Sequence, residues 1–497
     1  MNPNVGQRQA WFRYITVEPM MFLYMFAFQL TTVIEQELFV RKACMVNHGV
    51  EAKICDNLKN ETYNNIHKEV QITVSTFLQW NHIAGYVFPI VISLFIGSWS
   101  DRRGRKIPLL IGLTGKLIYV LGILLNIHYE KWPVEYIIFT ATIPSAITGV
   151  DIVIFASAFA YISDVSSVAN RTLRVTLLEV SYLVTFPTGI ALGSYLFNKV
   201  FNHSYFIMFS INAVILSTSI LYAIVNLKWR TSTRQNSIRE VGCCGLAGDF
   251  FDRQHVADTI KTLVKKRANR HHILFWIFLA SMFFYTFQRD EKYYTFLYTK
   301  IKFGWTNTEF SSFKVFQSTS QIIVLFFGMP ILTKLLKLKD TTIAMFGAFC
   351  FATARIFYAF AEIPESFYAG AAFSSVVVGG PMLRSMTSKV VQSSERGKVF
   401  AIFSVCDNAV PLVSSVLYSQ IYNWTVGTFP GIYVLTFLTQ LILFSFMLTV
   451  HIVLGEHQLA VDDNATAKNV ANDDGESTEN INKSSDRTDT SENFSKI

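Results

Sequence analysis

The chain has 497 residues, of which 51% are hydrophobic and 16% are charged, and it contains 44 Phe. A soluble protein of this size cannot hide so much apolar surface from water, so the composition excludes the soluble classes. The formal net charge of +8 is scattered along the ends of apolar runs. That distribution argues against nucleic-acid binding and is typical of a membrane protein.

Twelve apolar runs are long enough to cross the hydrocarbon core of a bilayer, for which a helix needs about 20 residues. They lie at residues 17–39, 78–98, 108–128, 136–161, 175–197, 205–227, 273–294, 310–332, 341–361, 366–388, 399–421 and 430–454. This pattern predicts an all-α membrane protein with twelve transmembrane helices.

Lys and Arg gather in the loops that follow every second helix, and positive residues near helix ends are retained in the cytoplasm. Both termini are therefore predicted to be cytoplasmic. The predicted parts are a cytoplasmic N-terminus (1–16), an N-terminal six-helix bundle (17–227) with an outer loop (40–76), a basic cytoplasmic linker (228–272), a C-terminal six-helix bundle (273–455) and a disordered cytoplasmic tail (456–497).

The predicted outer loops carry two further signals. Asn60, Asn202 and Asn423 each begin an Asn-x-Ser/Thr sequon, so they are predicted glycosylation sites. Cys44 and Cys55 share the first outer loop, where oxidation is permitted, and we expect a disulfide between them.

A short basic turn connects the second and third helices and reads Gly97-x-x-x-Asp101-x-x-Gly104-Arg105-Lys106. With the division into six plus six helices, it resembles the signature of the major facilitator superfamily. That resemblance implies two six-helix bundles, the major facilitator fold. We expect the glycines to allow close packing and a tight turn, and Asp101 to cap the third helix and to pair with a nearby Arg.

The turn is interpreted as a gate element whose ion pairs break as a carrier changes conformation. The predicted gating residues are Gly97, Asp101, Gly104, Arg105, Arg171 and Arg174.

A closer resemblance covers residues 14–455 and rests on five segments. These are Val17-Glu18-Pro19, Ala160-Tyr161-Ile162-Ser163-Asp164-Val165-Ser166, Arg171-Thr172-Leu173-Arg174, Leu177-Leu178-Glu179 and Leu383-Arg384-x-x-x-Ser388-Lys389. They are similar to the proton-coupled folate transporter family (solute carrier family 46), with the chain an insect-like or other invertebrate-like member. The resemblance implies a proton-driven transporter of organic anions; members are associated with folates and antifolates, some with muropeptides or other lysosomal and bacterial products.

Ionisable groups at membrane depth are costly and are functional candidates by default. Glu179 lies inside the fifth apolar run, where loss of solvation disfavours a charged carboxylate, and the resemblance places a proton-coupling carboxylate at this position. A structural Glu that faces a neighbouring helix is the alternative. His82 is a candidate proton relay or a packing residue.

The resemblance matches Arg384 to a helix 10 arginine linked to substrate binding and proton coupling. A buried guanidinium needs an acidic partner or an anionic ligand. Asp151 and Asp407 lie well inside their spans, and either could balance Arg384 or Arg355, so a purely structural pairing stays open.

Polar stripes recur at helical spacing in helices 1, 7 and 8, and such faces are expected to line an aqueous cavity. The predicted substrate-binding residues are Arg384, Asp151, Arg289, Lys314, Gln29 and Gln317. Glu35 and Glu37 lie near the outer end of helix 1, where we expect them to reach the headgroups.

The hypothesis that follows is a proton-coupled symporter of organic anions, with folate- or antifolate-like substrates favoured. Muropeptides or lysosomal products are alternative substrates, and a non-transporting receptor or scaffold is the alternative of another class. We expect no enzymatic activity, no metal and no cofactor beyond the coupling protons. The expected partners are the small-molecule anion, protons and the lipid bilayer. The plasma membrane is the favoured location, and a lysosomal or endosomal membrane is the alternative.

Overall fold

A computed structural model describes residues 16–56, 63–166, 171–231, 235, 250, 271–376, 383, 386–387 and 396–452, and in these residues the regular structure is entirely helical. The long helical segments are α1 Glu18–Lys42, α2 Asn64–Arg103, α3 Lys106–His128, α4 Ile138–Val165, α5 Arg171–Leu183 and Thr185–Tyr195, α6 Tyr205–Asn226, α7 His271–Phe287 and Glu291–Lys302, α8 Asn307–Ile323, α9 Asp340–Phe360, α10 Pro364–Ser374, α11 Arg396–Thr425 and α12 Gly431–Ile452.

Eight helices within the described ranges are long and apolar enough to cross a membrane. In the N-terminal half, α1 packs against α5 and α6, and α3 packs against α4 and α6. In the C-terminal half, α7 packs against α11 and α9 against α10. The two halves meet mainly where α2 contacts α11 and where α5 contacts α8.

The contact between α1 and α5 depends on two glycines. A Cβ atom at Gly189 would lie 2.8 Å from the Cβ of Gln29, and one at Gly193 would overlap the carbonyl oxygen of Leu30. Small residues at a helix interface let two backbones approach closely. Because Gly189 and Gly193 are four residues apart, they lie on the same face of α5, where no side chain keeps α1 at a distance.

The second helix begins earlier than its apolar run. We expected a polar loop before it, but α2 starts at Asn64 because Gln71 and Ser75 share one helical face that is buried against α11. Ser75 Oγ lies 3.0 Å from Ser419 Oγ, and the Tyr422 hydroxyl donates to Gln71 Oε1 at 3.3 Å. Polar partners across the interface thus extend the helix beyond the apolar segment.

The structure joins Cys44 and Cys55 by a disulfide, which ties the end of α1 to the short helix Ala52–Cys55. Among the sequons, Asn202 is exposed in the turn before α6. Asn423 lies within α11, and its amide nitrogen donates to Thr76 Oγ1 at 3.2 Å. Asn60 lies outside the described residues, and glycosylation stays a prediction.

Replacement of Gly193 by Ala is expected to force α1 and α5 apart. Overpacking of a close interface costs about 1–3 kcal/mol, so Gly193→Ala should lower the melting temperature in detergent by several degrees. Gly85→Ala is the matched control, because a Cβ there would meet only Thr142 Cγ2, at an ordinary 3.5 Å. Equal melting temperatures for the two variants would contradict the assigned role of Gly193.

Candidate functional site

A cluster of charged and phenolic side chains lies between α1, α3 and α4. The Lys116 ammonium lies 2.8 Å from the Asp151 carboxylate, and the Tyr24 hydroxyl donates to the other oxygen of Asp151. Of the pairings that the sequence left open, the one between Asp151 and Arg355 is therefore not formed. Direct packing of α3 on α4 supplies Lys116 instead, a residue that the sequence analysis did not consider.

Glu35 also points into this cluster and not toward the headgroups. The Tyr119 hydroxyl donates to Glu35 Oε1 at 2.6 Å. Lys116 and Tyr119 are one turn apart on α3, so a single face of α3 meets both acids. The expectation of a solvated Glu35 is wrong because α1 turns this residue toward α3.

In the other half, α7 is interrupted at the level of its charges. Gln288–Asp290 forms a 3-10 turn between the two α-helical parts, so the polar residues of α7 do not share one continuous helical face as expected. Asp290 is only 2% exposed and accepts a hydrogen bond from Ser414. Four consecutive charged residues, 289–292, were the available sequence signal for this break.

Glu291 and Arg355 form a buried ion pair between α7 and α9. Arg355 Nε lies 3.0 Å from Glu291 Oε2, and the two side chains are 7% and 5% exposed. The guanidinium also lies 4.6 Å from the centroid of the Phe351 ring. The acidic partner of Arg355 is thus Glu291 on α7, a residue that was not among the partners expected from the sequence.

Asp407 on α11 is linked to α7. Its carboxylate accepts a hydrogen bond from Thr286, and its carbonyl oxygen accepts one from Arg289 at 3.3 Å. Arg289 itself is exposed, yet it lies within electrostatic range of Tyr86 on α2. Arg289 therefore lines the space between the halves. Arg384 lies outside the described residues.

Lys314 on α8 approaches a neutral partner. Its ammonium lies 3.1 Å from Gln317 Oε1, and Gln317 Nε2 in turn approaches the Ser374 hydroxyl at 3.4 Å. Among the residues with described side chains, no carboxylate lies within 4 Å of the ammonium. The ammonium is thus held by a neutral partner, and the described carboxylate within its electrostatic range, Glu291, is paired directly with Arg355.

His82 lies at the seam between the halves. It is 8% exposed, and its ring centroid is 4.2 Å from that of Tyr293 on α7. Its Nδ1 has no hydrogen-bond partner among the described atoms. Tyr293 lies within electrostatic range of both Asp151 and Asp290. The His82–Tyr293 contact therefore lies between the two charged groups.

Two further predicted site residues lie elsewhere. Among the described residues, Glu179 is exposed on α5 and is not covered by a neighbouring helix, and its role in proton coupling stays a prediction. Gln29 is 4% exposed and packs against Gly189, so it lies between α1 and α5.

The turn between α2 and α3 holds a network within the N-terminal half. Arg105 pairs with Asp101, and its Nε lies 3.1 Å from Asp164 Oδ2 on α4. Arg105 is itself the N-cap of α3 and no side chain caps that helix, so the expected cap by Asp101 is absent. Asp101 falls inside α2, which continues to Arg103.

The two motif glycines behave differently. Gly104 has φ of 105° and would meet the carbonyl oxygen of Trp229 at 2.7 Å if it carried a Cβ, so this turn requires glycine. Among the described residues, no atom would lie within 4 Å of a Cβ at Gly97, so that part of the protein shows no close packing there. Arg174 Nη2 contacts Thr16 at 2.7 Å and Glu18 at 3.4 Å, which ties α5 to the start of α1.

Comparisons with known proteins agree with this architecture. The family model described as Major Facilitator Superfamily matches residues 20–415. Two solved structures share the fold at 12% identity: the human organic anion transporter MFSD10 (TM-score 0.59, over 87% of this chain and 97% of that chain) and the inward-open xylose transporter XylE from E. coli (TM-score 0.58, over 87% and 95%).

Three curated relatives are similar over most of their length. The probable peptidoglycan muropeptide transporter SLC46 of Drosophila melanogaster is 24% identical over 87% of this chain and 84% of its own. The lysosomal proton-coupled steroid conjugate and bile acid symporter SLC46A3 of Gallus gallus is 25% identical (84% and 89%). The proton-coupled folate transporter of Bos taurus is 26% identical (84% and 87%).

Loss of one member of the buried ion pair is expected to be more harmful than loss of both. Glu291→Gln leaves the Arg355 guanidinium buried without a counter-charge, which costs about 3–5 kcal/mol, and should markedly lower the melting temperature in detergent. Glu291→Gln combined with Arg355→Met should recover most of it. A double variant as unstable as Glu291→Gln alone would contradict the pairing.

Proposed function

Because the chain belongs to the major facilitator superfamily, we propose that this multi-pass membrane protein is a secondary transporter that moves organic anions together with protons by alternating access. Each half carries a group of charges at membrane depth, and the His82–Tyr293 contact lies between the two groups. This division of charge between the halves is the observation that carries the proposal. Charges at this depth face a cavity or a partner. A change in how the halves meet would alter both charged groups together.

The preference for an anion rests on cations that face the central space. Lys314 contacts the neutral Gln317 and lies within electrostatic range of Glu291, which is paired with Arg355. Arg289 donates to the backbone oxygen of Asp407 and lies within electrostatic range of its carboxylate. Lys292 is exposed on α7 and lies 4.7 Å from the centroid of the Tyr293 ring. A carboxylate or sulfate group of a substrate would offer these cations a direct ion-pair partner.

Alternating access requires an interface that breaks and reforms. Near the end that carries the disulfide, α2 and α11 are joined by Ser75–Ser419 and by the bond from Gln420 to Gln79 at 3.1 Å. Neutral hydrogen bonds of this kind contribute only about 0.5–1.5 kcal/mol each. They close the predicted outer side in this conformation and are weak enough to be broken during a cycle.

Proton coupling is assigned to the carboxyl groups. Protonation of a carboxylate removes a charge that is costly to carry through the membrane, so the loaded carrier reorients more easily than the half-loaded one. Glu179 is the proposed coupling residue, with His82 as a relay and Arg384 in the substrate site. Glu35 and Asp290 are additional acids in the two charged groups.

The substrate class is proposed as an organic anion with several negative or polar groups, folate- and antifolate-like compounds being favoured. The names of the relatives add muropeptides, steroid conjugates and bile acids. An uptake screen of these four classes in cells that express the protein, at the plasma membrane or in acidic vesicles, tests the assignment. Uptake of none above the level of untransfected cells would contradict it.

Proton coupling predicts uptake that is faster at acidic than at neutral external pH. Glu179→Gln cannot exchange a proton at this position, so it should lose most of the acid stimulation. Glu365→Gln, at an exposed site at the start of α10, is the matched control and should retain it. Full acid stimulation in Glu179→Gln would show that another group couples the proton.

Removal of the cation on α8 should weaken substrate binding. A hydrogen bond to a charged group is worth about 1.5–3 kcal/mol, so Lys314→Gln should raise KM about tenfold or more with a smaller effect on maximum rate. Lys302→Gln, exposed at the end of α7, is the control and should leave KM unchanged. An unchanged KM in Lys314→Gln would exclude a binding role.

A further inference from the structure

The first residues of the linker dock on the turn between α2 and α3. The backbone nitrogen of Lys228 donates to the Tyr161 hydroxyl at 3.0 Å. The Lys106 ammonium lies 4.0 Å from the centroid of the Trp229 ring, and the carbonyl oxygen of Trp229 fills the space left by Gly104. The linker therefore begins as an ordered part of the N-terminal bundle.

Thr231 connects this docked segment to the charged network. Its hydroxyl donates at 2.8 Å to Asp164 Oδ2, the same oxygen that Arg105 contacts at 3.1 Å. Gln235, which is 3% exposed, accepts from the Thr231 backbone nitrogen at 2.8 Å. One hydroxyl thus joins the linker to the Arg105–Asp164 ion pair.

The surroundings of Thr231 suit a basophilic protein kinase. Lys228 and Arg230 precede it by three and one positions, and both are exposed. The backbone from 228 to 231 is irregular, and the segment lies on the predicted cytoplasmic side. Charge patterns around an acceptor residue determine kinase selectivity. The exposed basic residues offer recognition, and the irregular backbone lets the half-buried Thr231 reach a kinase.

We propose that Thr231 is a phosphorylation site and that its phosphorylation releases the linker from Asp164 and slows the carrier. The effect on transport rests on the function proposed above; the modification and the release do not. In the reaction, Thr231 Oγ1 attacks the γ-phosphorus of ATP, the bond to the β–γ bridging oxygen breaks, ADP leaves, and the hydroxyl proton passes to the kinase base.

The expected release follows from charge. A phosphothreonine carries about −1.5 to −2 charges at neutral pH. It no longer donates to Asp164, it repels that carboxylate, and it competes with it for the Arg105 guanidinium. The first two effects release the linker from Asp164, and the third weakens the Arg105–Asp164 contact between α3 and α4.

The modification is tested directly on the full-length protein in nanodiscs, incubated with ATP and the catalytic subunit of a basophilic kinase. Ser232→Ala and Thr233→Val are introduced so that Thr231 is the one acceptor in this tripeptide. Mass spectrometry should find one phosphate on Thr231. The tripeptide should carry no phosphate when Thr231→Val is added to the same chain. A peptide without phosphate would overturn the proposal.

Release is tested by hydrogen exchange of residues 228–235. Exchange should be faster in the phosphorylated protein and in Thr231→Glu, because the amides of Lys228 and Thr231 lose their docked partners. Thr231→Ser keeps the hydroxyl and should exchange like the native chain. Unchanged exchange after phosphorylation would overturn the release step.

Transport is the last readout. Thr231→Glu should lower the maximum rate about three- to tenfold with little change in KM, the size expected for a coupling element. Thr428→Glu, in an exposed turn at the other end of the molecule, should not. A normal rate in Thr231→Glu overturns the effect on the carrier. If the native chain transports no anion, the proposed function fails, while phosphate incorporation and exchange still decide the site and the release.

Discussion

Buried charge constrains the whole molecule, because an ionised side chain away from water needs an opposite charge, hydrogen bonds or a water-filled cavity. Glu291 and Arg355 satisfy this need for each other and thereby tie α7 to α9. Lys116 and Asp151 tie α3 to α4 in the same way. Each pair holds two helices of one half together, so each half can move as a unit.

Two cations whose direct contacts are neutral oxygen atoms lie toward the space between the halves. Lys314 and Arg289 belong to the C-terminal half, and the imidazole of His82 reaches that half from α2 through Tyr293. Cations at the boundary between two halves suit the proposed carrier, since an anion would bind them more tightly in one arrangement of the halves than in the other. The weak polar contacts between α2 and α11 fit such a movable boundary.

The turn between α2 and α3 also joins helices of the N-terminal bundle through ion pairs. Arg105 joins Asp101 on α2 and Asp164 on α4 from its place at the start of α3, so three helices converge on one guanidinium. The linker adds Thr231 to the same carboxylate. The turn that the sequence suggested as a gate element holds an ion-pair network through which the linker contacts the bundle.

The sequence by itself determined the class of protein, the approximate helices and the motif turn, because apolar length, basic loop ends and glycine placement are local properties of the chain. It also singled out Asp151 and Arg355 as charges that need partners. Only the tertiary structure decided that those partners are Lys116 and Glu291, that Glu35 faces Tyr119, and that Glu179 is exposed. Pairing across helices depends on how each helix is rotated and on which neighbour it meets, and periodicity along one chain contains neither.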